Sequence, residues 1–262
     1  MIVDGKKIAE RMYARIRDEV LALGRSPHLT IITCAPNPET QRYLALKRRN
    51  AALINIETNI IELPPTASTD DIVKVIQDSL TATDGVILQL PLPLSIDVER
   101  VLRAIPSAYD VDALNPETTA VFSPVVGACI EILTTYNISV DGARAVVIGE
   151  GRLVGRPVAA WLKNAGARVT VVKKDDDIAD ALKDAEIIVC GAGDPGIVTP
   201  EMIKDGVVIL DAGASESGGM LRGDADPACG KKAKLFTPVP GGIGPVTVAY
   251  LYKNLLLLAR TK

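Results

Sequence analysis

The chain has 262 residues, 48% hydrophobic and 23% charged, and its 29 Lys+Arg against 32 Asp+Glu leave a formal charge of −3. That is a globular composition, long enough for two sub-domains, and its slightly acidic balance argues against nucleic acid, whose capture needs clustered cations. Every apolar run is cut by charge, Pro or Gly before ~20 residues accumulate, and Met1-Ile2-Val3-Asp4 reaches charge too early for a secretory leader, so the expectation is a cytoplasmic protein with no membrane span.

Ile8, Met12, Ile16 and Val20 recur every four residues and predict a first amphipathic helix. Leu29 to Thr33 reads as a strand, Thr40 to Ile54 as a second helix and Ile56 to Leu63 as a second strand. Ser68 is placed to cap a helix whose apolar stripe is Ile72, Val75, Ile76 and Leu80. Gly85 to Leu90 is a short, continuously apolar strand. Buried strands alternating with amphipathic helices predict an α/β fold around a mainly parallel sheet.

After Pro106 an acidic, turn-rich stretch, Ser107 to Glu117, leads to an apolar helix around Val125 to Tyr136. A second α/β series follows, with strands at Ala145–Ile148, Val169–Val172, Ile187–Cys190 and Val207–Asp211, and Val246 to Ala259 closes the chain as a helix. This reading puts residues 1–116 and 249–262 in one domain and 117–248 in another. Cys34, Cys129, Cys190 and Cys229 lie far apart, and His28 is the one histidine, so reduced, packed thiols are expected and no metal site.

Between the strand ending at Ile148 and the next helix lies Gly149-Glu150-Gly151-Arg152-Leu153-Val154-Gly155, a G-x-G-x-x-x-G turn. Glycines there allow close backbone approach, and a helix N-terminus offers N–H groups and a positive dipole end to a pyrophosphate, so a dinucleotide site is expected. About 20 residues on, where an NAD binder usually places a carboxylate, stand Lys173 and Lys174. Two ammonium groups suit a 2′-phosphate and favour NADP; Asp175, Asp176 and Asp177 follow at once and leave NAD as the alternative.

Two further stretches carry chemistry. Thr237 to Thr247 (TPVPGGIGPVT) packs three Pro and three Gly between a strand and a helix, which suits a loop lining a flat ligand. Tyr43 and Lys47, four residues apart, share a helix face. At these residues the chain closely resembles the bifunctional methylenetetrahydrofolate dehydrogenase/cyclohydrolase family, through Tyr43-x-x-x-Lys47, Gln89-Leu90-Pro91-Leu92-Pro93, Asp110-Val111-Asp112, Asp211-Ala212-Gly213 and Pro240-Gly241-Gly242-Ile243-Gly244-Pro245.

The resemblance implies an N-terminal α/β domain joined to a Rossmann domain with a folate cleft between them, usually in a homodimer. It implies oxidation of 5,10-methylenetetrahydrofolate with NADP and hydrolysis of the methenyl product to 10-formyltetrahydrofolate. Lys47 takes the role of catalytic lysine, Gln89 of its hydrogen-bond partner, Tyr43 of the ring flanking the folate and Asp112 of the carboxylate holding the pterin. Leu88, Leu90 and the loop Pro240, Gly241, Gly242, Ile243, Gly244 line the substrate; Gly149, Glu150, Gly151, Arg152, Gly155, Lys173, Lys174, Ala214 and Thr237 serve the cofactor. The chain departs from the family at Glu150, where an Arg usually grips the 2′-phosphate, at Ser123-Pro124-Val125-Val126, and at Ala113, usually Gly. A shikimate- or amino-acid-type two-domain dehydrogenase and a non-catalytic dinucleotide sensor are the rival readings.

Overall fold

The computed structural model describes every residue except 119, 174, 175, 218 and 219. The chain divides into two compact units, Arg11–Pro124 with Val248–Lys262, and Met1–Glu10 with Val125–Thr247.

In the first unit, helix α1 (Gly5–Leu23), which starts in the second, buries the predicted stripe: Met12, Ile16 and Val20 are each at most 3% exposed. Strand β1 (His28–Cys34) leads to α2 (Pro38–Ala52), whose start is fixed by Asn37: its side chain accepts from the Thr40 N–H, and Pro38 occupies the first helical position. Strand β2 (Glu57–Leu63) is followed by α3 (Thr69–Ser79), which begins in a reciprocal cap: Ser68 accepts from the Asp71 N–H, and the Asp71 carboxylate accepts from the Ser68 N–H. Strand β3 (Gly85–Leu88) ends two residues before the sequence reading had it, and α4 (Val98–Arg103) is a short helix that reading did not include.

The three strands are parallel in the order β2-β1-β3, with Ile31 opposite both Ile60 and Ile87. Central β1, and β3, whose far side is flanked by residues 109–111, are almost wholly buried, whereas most of edge strand β2 is exposed or half-buried. Ile32, Ile72, Ile76, Val86, Leu88 and Leu102 form one core, each fully buried aliphatic side chain contributing ~1.5–3 kcal/mol. Residues 109–111 extend the sheet beyond β3: Val86 donates its N–H to the Tyr109 carbonyl at 2.7 Å and bridges Asp110 in parallel. Asp112 therefore leaves the sheet at the same C-terminal end as Gln89.

The second unit contains α5 (Pro124–Thr135), β4 (Arg144–Ile148), α6 (Gly155–Asn164), β5 (Arg168–Val172), α7 (Ile178–Leu182), β6 (Ile187–Cys190) and β7 (Val208–Asp211). A hairpin of β8 (Ser215–Ser217) and β9 (Met220–Arg222), absent from the sequence reading, precedes β10 (Leu235–Phe236) and α8 (Ile243–Ala259), whose C-terminal part returns to the first unit. The parallel sheet runs β10-β7-β6-β4-β5, a doubly wound order that reverses between β4 and β6. In such sheets ligands sit beyond the strand ends at that reversal. Residues 1–10, read from the sequence with the first domain, pack here because Val3 donates to the Phe236 carbonyl and Gly5 to the Gly241 carbonyl.

Candidate active site

At the reversal point the chain leaves β4 through Gly149, whose φ of +92° lies in the left-handed region. A Cβ on Gly155 would stand 2.0 Å from the Gly149 carbonyl oxygen, so the turn closes only with glycine at both ends. Gly149 donates to the Val172 carbonyl and Gly191 to the Ile148 carbonyl, tying the turn to the ends of β5 and β6. A Cβ at Gly151 has nothing nearer than the Gly191 oxygen at 4.0 Å, and α6 starts without a side-chain cap. Open space beside an uncapped helix start fits a pyrophosphate.

Glu150 and Lys173 form an exposed ion pair, Nζ to Oε1 3.0 Å, so the two opposite charges that the sequence places at this turn neutralise each other. Arg152 lies in the turn, partly buried, and Ala214 is exposed after β7. Lys174 lies outside the described residues. Thr237, expected to serve the cofactor, is fully buried, and its hydroxyl accepts from the Asp211 N–H at 2.6 Å, which ties the end of β10 to β7.

The Asp211-Ala212-Gly213 motif also has a structural explanation. The buried Asp211 carboxylate accepts from the N–H groups of Gly213, Asp224 and Ala225, and that of Asp224 from Ala192, Gly193 and Asp194. Two carboxylates thus organise the loops after β6 and β7 at the ligand end of the sheet. Burial pushes both up, Asp211 to about 6. Gly213 is required there, because a Cβ would lie 2.1 Å from the Asp224 carboxyl carbon. In the loop after β10, Pro240 and Gly244 are exposed, whereas Ile243 is 3% exposed and anchors the start of α8.

In the first unit the structure brings together Tyr43, Lys47, Gln89 and Asp112. Lys47 is only 4% exposed on α2, and its Nζ donates to Gln89 Oε1 at 3.0 Å. Gln89 donates its own Nε2 to the Leu90 carbonyl, which turns the amide oxygen toward Lys47. The ammonium lies 4.8 Å from the centre of the Tyr43 ring, as the four-residue spacing requires, and that ring is 38% exposed. Leu88 is buried in the sheet core, and Leu90 is half-buried beside the cis Leu90–Pro91 bond.

Burial dominates the electrostatics. It lowers the Lys47 pKa, against the nearby Asp112 charge, which raises it. It pushes Asp112 up to about 6, with Lys47 opposing and Asp110 reinforcing the rise. Asp110 serves the fold: its carboxylate accepts from the Asn115 N–H and the Thr118 hydroxyl and pins the turn after Asp112. In that turn Ala113 holds φ +50°, the left-handed conformation that the glycine usual here would adopt without a steric penalty. Sequence reasoning missed two buried polar groups behind Lys47 and Asp112, Tyr252 and Asn254; their signal was polar chemistry inside the apolar run of α8.

A doubly wound sheet with a glycine turn at its reversal point, and an α/β unit presenting a buried amine beside a carboxylate and an open aromatic ring, define a dinucleotide-dependent enzyme. Residues 3–112 match the catalytic-domain model of the tetrahydrofolate dehydrogenase/cyclohydrolases and residues 123–262 their NAD(P)-binding-domain model. The bifunctional protein FolD of Methanoculleus marisnigri is 36% identical over 275 residues, covering 100% of this chain and 97% of that protein. The crystal structure of FolD from Campylobacter jejuni superposes with a TM-score of 0.96 at 28% identity, covering 100% of this chain and 99% of that one. The Trypanosoma brucei enzyme, solved with NADP cofactor and an inhibitor, gives 0.94 at 33% identity, covering 100% and 97%.

The chain belongs to the tetrahydrofolate dehydrogenase/cyclohydrolase family. As a member it is a bifunctional enzyme with a Rossmann-like NAD(P)-binding domain, and matches spanning both domains favour this over the shikimate-type and sensor readings.

Proposed function

We propose that the enzyme oxidises 5,10-methylenetetrahydrofolate to the methenyl compound with NADP and hydrolyses that compound to 10-formyltetrahydrofolate, with Lys47 moving the proton in the second step. The observation that carries this reading is the buried Lys47 amine, held by a neutral amide at 3.0 Å and beside Asp112. When bound, NADP supplies the hydride acceptor for the methylene carbon. The chain's own part in oxidation is orientation: Asp112 accepts from the pterin N–H groups, and the exposed Tyr43 ring flanks the flat heterocycle.

Hydrolysis makes a greater demand, because water adding to the methenyl carbon must lose a proton. An ordinary lysine is protonated at neutral pH and cannot take one. Burial of Lys47 favours the neutral amine, and the cationic methenyl substrate would act in the same direction. The amine takes the water proton as the carbon–oxygen bond forms; the resulting ammonium returns a proton to the ring nitrogen as the carbon–nitrogen bond breaks, and the new hydroxyl gives up its own proton to solvent as the formyl carbonyl forms, so that one proton is released overall. Gln89 holds Nζ in place without adding a charge that would fix it as ammonium.

The cofactor would rest on Gly149 to Gly155 and the start of α6, with Lys173 nearest the choice of coenzyme. We further propose a cytoplasmic homodimer that supplies formyl groups for purine biosynthesis; the family resemblance supports the dimer, and so do the exposed Met220 and Leu221 of β9. Sedimentation at micromolar concentration tests the dimer. For the activity, NADPH formation at 340 nm and methenyl decay are followed together with methylenetetrahydrofolate as sole substrate. Lys47→Met should lower hydrolysis by ~10²-fold or more, the scale of general acid–base catalysis, and let methenyltetrahydrofolate accumulate. Hydrolysis at the native rate in a folded, folate-binding Lys47→Met protein would remove Lys47 from the mechanism.

A further inference from the structure

The C-terminal part of α8 is apolar and buried, with Leu251, Leu255, Leu256 and Leu258 each at most 3% exposed. Within it stand two polar side chains of zero exposure, Tyr252 and Asn254. Their hydrogen bonds go to main-chain carbonyls of Lys47 itself and of residues before and after Asp112. The Tyr252 hydroxyl donates to the Lys47 carbonyl at 2.6 Å. Asn254 Nδ2 donates to the Val111 carbonyl at 2.9 Å and to the Phe122 carbonyl at 2.7 Å, and Val111 immediately precedes Asp112.

Both side chains are held as donors. Burial raises the Tyr252 pKa, which keeps the phenol protonated throughout the working range. Among the described residues Asn254 Oδ1 is buried with no hydrogen-bond partner. An unmatched buried acceptor costs stability, and leucine would fill nearly the same volume without that cost. The amide is therefore explained by what its N–H groups hold, the two carbonyls on either side of the Asp112 turn. Tyr252 also packs against Tyr13, ring centres 6.1 Å apart, and Tyr13 accepts from Asn50 on α2, so a second contact braces the same helix.

We infer that Tyr252 and Asn254 are the positioning residues of the catalytic pair, Tyr252 setting the α2 turn that carries Lys47 and Asn254 setting the strand end that carries Asp112. The inference rests on the roles proposed above for those two residues, and it separates them, because one governs proton transfer and the other folate binding.

The test compares full-length Tyr252→Phe, Asn254→Leu and Lys47→Met. Tyr252→Phe should lower kcat for methenyl hydrolysis ~10-fold with folate KM within ~2-fold, since small misplacement of a reacting group costs rate. Its pH–rate limb should move upward as a less constrained amine gains water. Asn254→Leu should raise folate KM ~10-fold and change kcat less than ~3-fold, and Asn254→Ala should do the same if leucine prevents folding. Thermal unfolding and coenzyme binding serve as controls. If the two variants show no split between kcat and KM, with both activities falling only as the folded fraction falls, the positioning roles are wrong. Native hydrolysis in Lys47→Met would instead overturn the catalytic assignment itself.

Discussion

Replacing Gln89 by Glu adds to Asp112 a second carboxylate beside the base, this one in direct hydrogen-bond contact with the amine. Gln89 Oε1 accepts from Lys47 Nζ at 3.0 Å, and a carboxylate oxygen at that distance favours the ammonium. The attraction is ~1.4 kcal/mol at the dielectric of water and ~5.5 kcal/mol at an effective value of ~20. At ~1.36 kcal/mol per unit, the lower bound already raises the lysine pKa by ~1 unit. A raised pKa means less neutral amine at any pH below it, so hydrolysis at neutral pH should fall at least ~10-fold and recover as pH rises. Oxidation, which needs no proton acceptor from the protein, should fall much less. The assay is the pH dependence of methenyl hydrolysis from ~6 to ~10, against Gln89→Leu, which removes the bond without adding charge and should leave the limb where it is or lower it. If Gln89→Glu merely lowers the rate at every pH, the group that titrates in hydrolysis is not Lys47.

Other consequences can be checked independently. Asp112→Ala should weaken folate binding by ~1.5–3 kcal/mol, the range for hydrogen bonds to a charged group, while coenzyme titrated by calorimetry binds as before; equal loss of both would mark Asp112 as structural. Glu150→Gln frees Lys173 from its exposed partner and should improve NADP binding relative to NAD ~5-fold, equivalent to the ~1 kcal/mol ceiling of a surface ion pair; an unchanged ratio would place the pair away from the 2′-phosphate. Gly155→Ala sets a methyl 2.0 Å from the Gly149 carbonyl oxygen and should cost ~1–3 kcal/mol in denaturant unfolding and weaken coenzyme binding; unchanged stability would mean the turn can relax.

The sequence alone determined what depends on neighbours along the chain. Periodicity located α1, α2, α3 and the buried strands; Ser68 and its acidic follower marked a helix start; and Gly149 to Gly155 announced a tight strand-to-helix turn. Tyr43 and Lys47 were legible as a pair because helical spacing puts residues four apart on one face. What it left open depended on partners distant in the chain. That Glu150 and Lys173 neutralise each other, that Thr237 is spent on the Asp211 N–H, and that residues 1–10 join the sheet of the second unit follow from strand order, which no local pattern encodes. Without the family resemblance, Lys47 with Arg48 and Arg49 would read as three adjacent cations on a solvated helix face. Only packing decided that it is buried, because α2, the end of β3, the turn after Asp110 and α8 must assemble before its amine loses water and its pKa falls.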